Sequence, residues 1–148
     1  MKKYDTVIFD LDGTLMDTLE DLADAVNEIL SRNGYPVRTI REVRRIVGNG
    51  LRQTLTLCLP EGTKQEVVDR LLPEFASYYQ EHCQIKTKPY DGIEDTLRGL
   101  SARGFKLAIV SNKRDEAVKT LNREYFAEYV RVAIGENESA GIRKKPAP

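Results

Sequence analysis

The chain has 148 residues, of which 41% are hydrophobic and 31% charged, enough apolar content for a packed core and too much for wholesale disorder. Its 23 Lys and Arg balance 23 Asp and Glu, so charge implies neither a nucleic-acid nor a membrane-surface partner. Apolar runs such as residues 107–110 are far too short to span a bilayer, and Val7-Ile8-Phe9 runs straight into Asp10, leaving no signal-peptide core.

Residues 4–9 read as a strand whose apolar block, Val7-Ile8-Phe9, suits burial on both faces of a parallel sheet. It stops at Asp10-Leu11-Asp12-Gly13-Thr14. Helical patterns then dominate to about residue 83. Thr18 with Asp21 resembles a capping pair, and Leu19, Leu22, Ala23, Val26, Ile29 and Leu30 follow on one face up to Gly34. Thr39 and Glu42 form a capping box before Val43, Ile46 and Val47, and Gly48-Asn49-Gly50 interrupts that helix. A third helix runs from Leu51 to Leu59 and ends at Pro60. Thr63 and Glu66 suggest another capping box, ahead of Val67, Val68, Leu71, Leu72, Phe75 and Tyr79. Pro73 inside this pattern predicts a kink or a break.

From Lys86 the character changes. A connector leads to a helix marked by Ile93, Leu97 and Leu100 and closed by Gly104. Residues 105–110 form a second buried-strand pattern ending at Ser111-Asn112-Lys113. A helix over about 115–126, a third strand at 130–134 and a polar tail ending in Lys144-Lys145-Pro146-Ala147-Pro148 follow. Strands alternating with helices predict an α/β domain with a parallel sheet. The helical block at 17–86 reads as an inserted cap, leaving 1–16 and 87–148 as the core.

Residue counts remove several chemistries. One histidine, His82, cannot build a multi-histidine zinc site or a histidine relay. Cys58 and Cys83 form no C-x-x-C pair, and neither is followed six residues on by an arginine that would serve a phosphate-binding cysteine nucleophile; they read as reduced thiols of a cytoplasmic protein. No G-x-x-x-x-G-K-[ST] occurs.

In open α/β sheets, ligands bind beyond the carboxyl ends of the strands. Two carboxylates, Asp10 and Asp12, fall at one such end and Ser111-Asn112-Lys113 at another. One carboxylate can attack phosphorus and the other can give and take protons. Gly13 permits close backbone approach, Thr14 can orient a carboxylate or cap the next turn, and Ser111 offers a hydroxyl and an N–H to a phosphate oxygen. Charge neutralisation would come from a tail lysine and from Mg²⁺, which prefers oxygen ligands. Between Arg38 and Arg52 five arginines accompany one acid, Glu42, a local field that could draw in a small anion.

Phe9-Asp10-Leu11-Asp12-Gly13-Thr14-Leu15, then Ser111-Asn112-Lys113, then Lys145-Pro146-Ala147-Pro148 resemble, in order and spacing, the first three motifs of the haloacid dehalogenase superfamily. Arg44-Arg45-Ile46-Val47-Gly48-Asn49-Gly50-Leu51 is similar to the cap segment of its phosphoglycolate phosphatases. The resemblance implies a Rossmann-like core with an α-helical cap and a Mg²⁺-dependent phosphatase acting on a small phosphorylated metabolite. It implies Asp10 as nucleophile and metal ligand, and Asp12 as general acid/base whose carbonyl also meets the metal. Ser111 would bind the phosphoryl group and Lys145, rather than Lys144, would neutralise it. Gly13, Thr14, Asn112, Gly48 and Asn49 would contact substrate.

The family pattern continues past the third motif with two more strands and an acidic cluster that completes the metal site, whereas this sequence stops at Pro148. The expectation is therefore a core missing its last two strands, the first strand left as a sheet edge prone to self-association, weak metal affinity and little turnover. The competing readings are a phosphomutase on the same scaffold, in which the phosphoryl group returns to sugar, and a non-catalytic binding or receiver-type module.

Overall fold

The structure, a computed structural model, describes residues 3–147. The chain divides into two compact units, one formed by residues 3–17 with 89–147 and the other by Thr18–Lys88.

The first unit holds a three-stranded parallel sheet in the order β1 (Thr6–Phe9), β4 (Lys106–Arg114), β5 (Val132–Glu136). Two two-residue strands, β2 (Met16–Asp17) and β3 (Lys88–Pro89), pair with each other. Helix α5 (Ile93–Ala102) precedes β4, and α6 (Asp115–Tyr125) links β4 to β5. Both crossovers step in the same direction along the sheet, so the right-handed rule puts both helices on one face. Leu97 of α5 and Val118 and Leu121 of α6 accordingly share one core with Leu107, Ile109 and Ala133 of the strands, closed by Leu11, Leu15, Phe126 and Val130.

Strand pleating explains why β1 departs from the expected two-sided burial. Val7 and Phe9 pack against this core, while Ile8 points to the other face in register with Ala108 and, through it, Val132. Ile8 is 63% exposed and Val132 50%. Among the described residues β1 pairs only with β4, on one side.

The second unit is four helices: α1 (Leu19–Arg32), α2 (Ile40–Ile46), α3 (Leu51–Cys58) and α4 (Gln65–His82). Val26, Ile29 and Leu30 of α1, Val43 of α2, Leu55 and Cys58 of α3, and Val68, Leu71 and Phe75 of α4 form its core. Burial pushes the Cys58 thiol up to about 11, and neither Cys58 nor Cys83 forms a disulfide. The Thr39–Glu42 capping box is present, but two other expected caps are not. Thr18 makes no side-chain cap. Its supposed partner Asp21 is buried and accepts the backbone N–H groups of Lys86 and Thr87, tying the two ends of this unit together. Thr63 donates to the Pro60 carbonyl instead of capping α4. Pro73 does not break α4 either. One interior proline costs about 3 kcal/mol, whereas the buried Val68, Leu71, Phe75 and Tyr79 are each worth about 1.5–3 kcal/mol. Two of the five arginines are committed within the unit: Arg38 donates to the Cys58 carbonyl and Arg52 pairs with Asp69. Arg41, Arg44 and Arg45 stay exposed on α2.

No helix among the described residues is long and apolar enough to cross a membrane.

Candidate active site

The loop after β1 is built around one residue. Leu11 is fully buried, and its carbonyl accepts the N–H groups of Thr14, Leu15 and Met16. So tight a wrap needs a left-handed residue, which Gly13 supplies at φ 77°, its own N–H donating to the Met16 carbonyl. Thr14 is exposed and contributes its backbone N–H to the turn. Anchoring Leu11 inward leaves its neighbours Asp10 and Asp12 at the carboxyl end of the strand, with side chains 46% and 23% exposed.

The adjacent strand supplies the second component. β4 runs on through Ser111, Asn112 and Lys113 to Arg114, beyond the expected end at Val110, because its pairing with β5 resumes at Arg114↔Glu136 after a register shift. Ser111 is buried and its Oγ accepts the Lys113 N–H at 3.1 Å. Asn112 Oδ1 accepts the Lys145 N–H at 2.7 Å. Lys145 Nζ in turn donates to the Val110 carbonyl at 2.8 Å and lies 3.0 Å from Asp10 Oδ1, an oxygen that also accepts the Leu11 N–H at 2.8 Å. Lys113 Nζ donates to Asp12 Oδ1 at 3.0 Å.

Asp10, Asp12, Ser111, Asn112, Lys145 and the Gly13–Thr14 turn thus all belong to the first unit. Gly48 and Asn49 belong to the second, in the loop between α2 and α3. Pro148 lies outside the described residues. Each of the two acids meets an ammonium group, so the local charge is balanced before any ligand arrives. A dianionic phosphate and a divalent cation could then enter together without changing that balance. Among the described residues no cluster of three or more acids, histidines or cysteines exists. Mg²⁺ is commonly held by only one or two carboxylates, with water and substrate phosphate completing the shell. The all-oxygen donors of Asp10 and Asp12 suit it.

Three residues that support the site carry weak sequence signals. Lys113 was legible only as the third letter of Ser-Asn-Lys, two residues from Ser111. Asp115 and Gly135 fix the turn from behind. Asp115 opens α6, is buried, and accepts the Gly135 N–H at 3.0 Å and the Lys119 ammonium at 2.6 Å. These two bonds, the Gly135 one foremost, hold its carboxyl below the ordinary carboxylate range. A depressed folded-state pKa stabilises fully above the unfolded value near 4, and that contribution is lost as pH falls through the folded value. Asp115→Asn is therefore expected to unfold about 1 kcal/mol more easily at neutral pH, since an exposed lysine is one of the partners. The gap should close below about pH 4. Urea unfolding of both proteins at stepped pH measures it; a gap independent of pH would mean that the charge at Asp115 contributes nothing.

The family model for haloacid dehalogenase-like hydrolases matches residues 7–148. The chain belongs to that family. Among curated relatives, the phosphoglycolate phosphatase of Aquifex aeolicus is 36% identical over 96% of this chain and 64% of its own length. The N-acetylmuramic acid 6-phosphate phosphatase of Pseudomonas aeruginosa is 32% identical over 96% of this chain and 63% of its own. The chain thus spans just under two thirds of these relatives. A crystal structure of a candidate phosphoglycolate phosphatase from Lactobacillus delbrueckii subsp. bulgaricus superposes with a TM-score of 0.91 at 38% identity, covering 99% of this chain and 70% of that one. The α/β architecture with a parallel, Rossmann-like sheet is that of the family.

Proposed function

We propose that the protein is a phosphatase of small phosphate monoesters, with phosphoglycolate-like metabolites as substrates, working through an aspartyl-phosphate. The observation that carries this reading is the pair of carboxylates after β1, each matched to its own lysine, beside the Ser111–Asn112 turn. The names of the two curated relatives, both phosphomonoester phosphatases, support it.

The chemistry has two halves. Asp10 attacks phosphorus, a new P–O bond forms to its carboxylate, and the bond to the leaving oxygen breaks. Asp12 gives that oxygen its proton. Water then attacks the phosphorus of the aspartyl-phosphate while Asp12 takes its proton, releasing inorganic phosphate and restoring Asp10. Ser111 Oγ already accepts the Lys113 N–H, so its own O–H is available to donate to a phosphoryl oxygen. Lys145 neutralises charge on Asp10 and on the bound phosphate. Mg²⁺, held by the Asp10 carboxylate and the Asp12 carbonyl, would add charge neutralisation at the phosphoryl group. Two cysteines outside any disulfide, one deeply buried, are in keeping with a reducing, cytoplasmic setting.

The test is phosphate release with Mg²⁺ from phosphoglycolate, a sugar 6-phosphate and p-nitrophenyl phosphate, by the 148-residue protein and by a protein extended to the length of its relatives. Release from small carboxylated esters that stops on adding a chelator is expected of the extended protein, and little release of the 148-residue one. A folded, extended protein that cleaves none of them would overturn the reading.

The helical unit is part of the same proposal, as a cap whose Gly48–Asn49–Gly50 loop selects the leaving group. Gly48 has φ 127°, so any side chain there is strained, which makes Asn49→Ala the cleaner probe. It is expected to change the ratio of kcat/KM between esters several-fold. An equal loss on every ester would make the loop structural.

A further inference from the structure

Lys113 is one of two lysines at the site, and it is the deeper one: its side chain is 9% exposed against 38% for Lys145. The two do not duplicate each other. Lys145 lies at Asp10 Oδ1 and Lys113 at Asp12 Oδ1, each at 3.0 Å. Lys113 and Asp12 are 101 residues apart in sequence, and the pair joins the loop after β1 to the end of β4. Lys113 is also held at its backbone, where its N–H donates to Ser111 Oγ. One residue thus links the hydroxyl that would meet phosphate to the carboxylate that would carry the proton.

We infer that Lys113 is a positioning residue for Asp12: it holds Oδ1, fixing the carboxylate rotamer so that Oδ2 is the oxygen presented to the leaving group. This rests on the phosphatase reading above and adds a residue with a separable signature. An ammonium on a side chain only 9% exposed is expensive unless paired, so the contact is persistent rather than incidental. A carboxylate free to rotate delivers its proton less often, and misplacement by about 1 Å can cost on the order of 100-fold. The Lys113 ammonium donates to Asp12 Oδ1, and the role assigned to it runs through that carboxylate. Its effect should therefore track how much the leaving oxygen needs a proton.

The experiment, in a protein extended to the length of its relatives, compares kcat/KM for an alkyl ester, phosphoglycolate, with p-nitrophenyl phosphate, whose leaving group departs as a stable anion. Lys113→Met is expected to lose roughly 10–100-fold on the alkyl ester, mainly in kcat, and only a few-fold on p-nitrophenyl phosphate. Lys113→Gln, which keeps an N–H for Asp12 Oδ1, should recover a large part of the loss. In an Asp12→Asn background Lys113→Met should cost little more, because the two act as one unit. Equal losses on both esters, or full additivity with Asp12→Asn, would overturn the inference while leaving the phosphatase reading intact. So would failure of both Lys113 variants to fold, since the pair would then be structural. A wild-type protein extended to the length of its relatives that cleaves neither ester would remove the phosphatase reading itself, and this inference with it.

Discussion

In a protein extended to the length of its relatives, replacing Asp10 with Asn should reduce phosphate release by on the order of 10⁴–10⁶-fold, as deletion of a covalent nucleophile does elsewhere, while barely touching the fold. The two halves of that expectation come from different features of the same residue. Asn is the same size, and its Oδ1 can still accept the Leu11 N–H that Asp10 accepts at 2.8 Å. What it loses is the pair with Lys145, whose two side chains are 38% and 46% exposed. An ion pair that open is worth about 0–1 kcal/mol, so the thermal midpoint should move by no more than a few degrees. The chemical loss has no such cushion, because an uncharged amide cannot attack phosphorus to give an acyl phosphate. Acid-quenched samples of the wild type should carry acid-stable, alkali-labile phosphate on Asp10, and the variant none. Turnover within 100-fold of wild type by well-folded Asp10→Asn would move the nucleophile elsewhere.

What could be read from the sequence, and what could not, divides along the distance over which each residue is determined. The Leu11-anchored turn is local: a buried-strand pattern, then two acids and a glycine, so Asp10, Asp12 and Gly13 were legible from five consecutive letters. The amphipathic helices were legible for the same reason, their apolar spacing being set by one period. The far end of β4 was not. Residues 111–114 are polar and read as a loop, yet they continue the strand because Arg114 pairs with Glu136, a partner 22 positions downstream. The Thr18–Asp21 cap failed in the same way. Thr18–Asp21 fits a local pattern, but Asp21 is buried and spent on Lys86 and Thr87, a tie between the ends of its unit that no window of a dozen residues contains. Lys113 is the sharpest case. Its side chain meets a carboxylate 101 residues away, so in sequence it is one more lysine after a strand.

Gly135→Ala should be among the most destabilising single changes in the first unit, although it adds only one methyl group. A Cβ at Gly135 would overlap the Lys113 carbonyl oxygen and stand 2.6 Å from Asp115 Cα and 2.7 Å from its nitrogen. All three are backbone atoms, so no side-chain rotation relieves the clash; either β5 or the 113–115 turn must shift. Overpacking of this kind costs about 1–3 kcal/mol. The shift also strains the buried bond from the Gly135 N–H to Asp115 Oδ1, which is worth about 1–3 kcal/mol more when left unmade. A loss of about 3 kcal/mol is a large share of the 5–15 kcal/mol that holds a domain together, and would lower the unit's melting point by roughly 10 °C or more. The damage should reach the site by a defined route, because the clash falls on Lys113 and Asp115 themselves, and Lys113 is what reaches Asp12. The variant should therefore melt early and, below its melting point, lose alkyl-ester activity in the manner of Lys113→Met. Calorimetry and the two-ester assay measure the two effects on one preparation. A Gly135→Ala protein with wild-type stability would mean that β5 does not approach the turn this closely, and would withdraw the support assigned to Lys113 from behind.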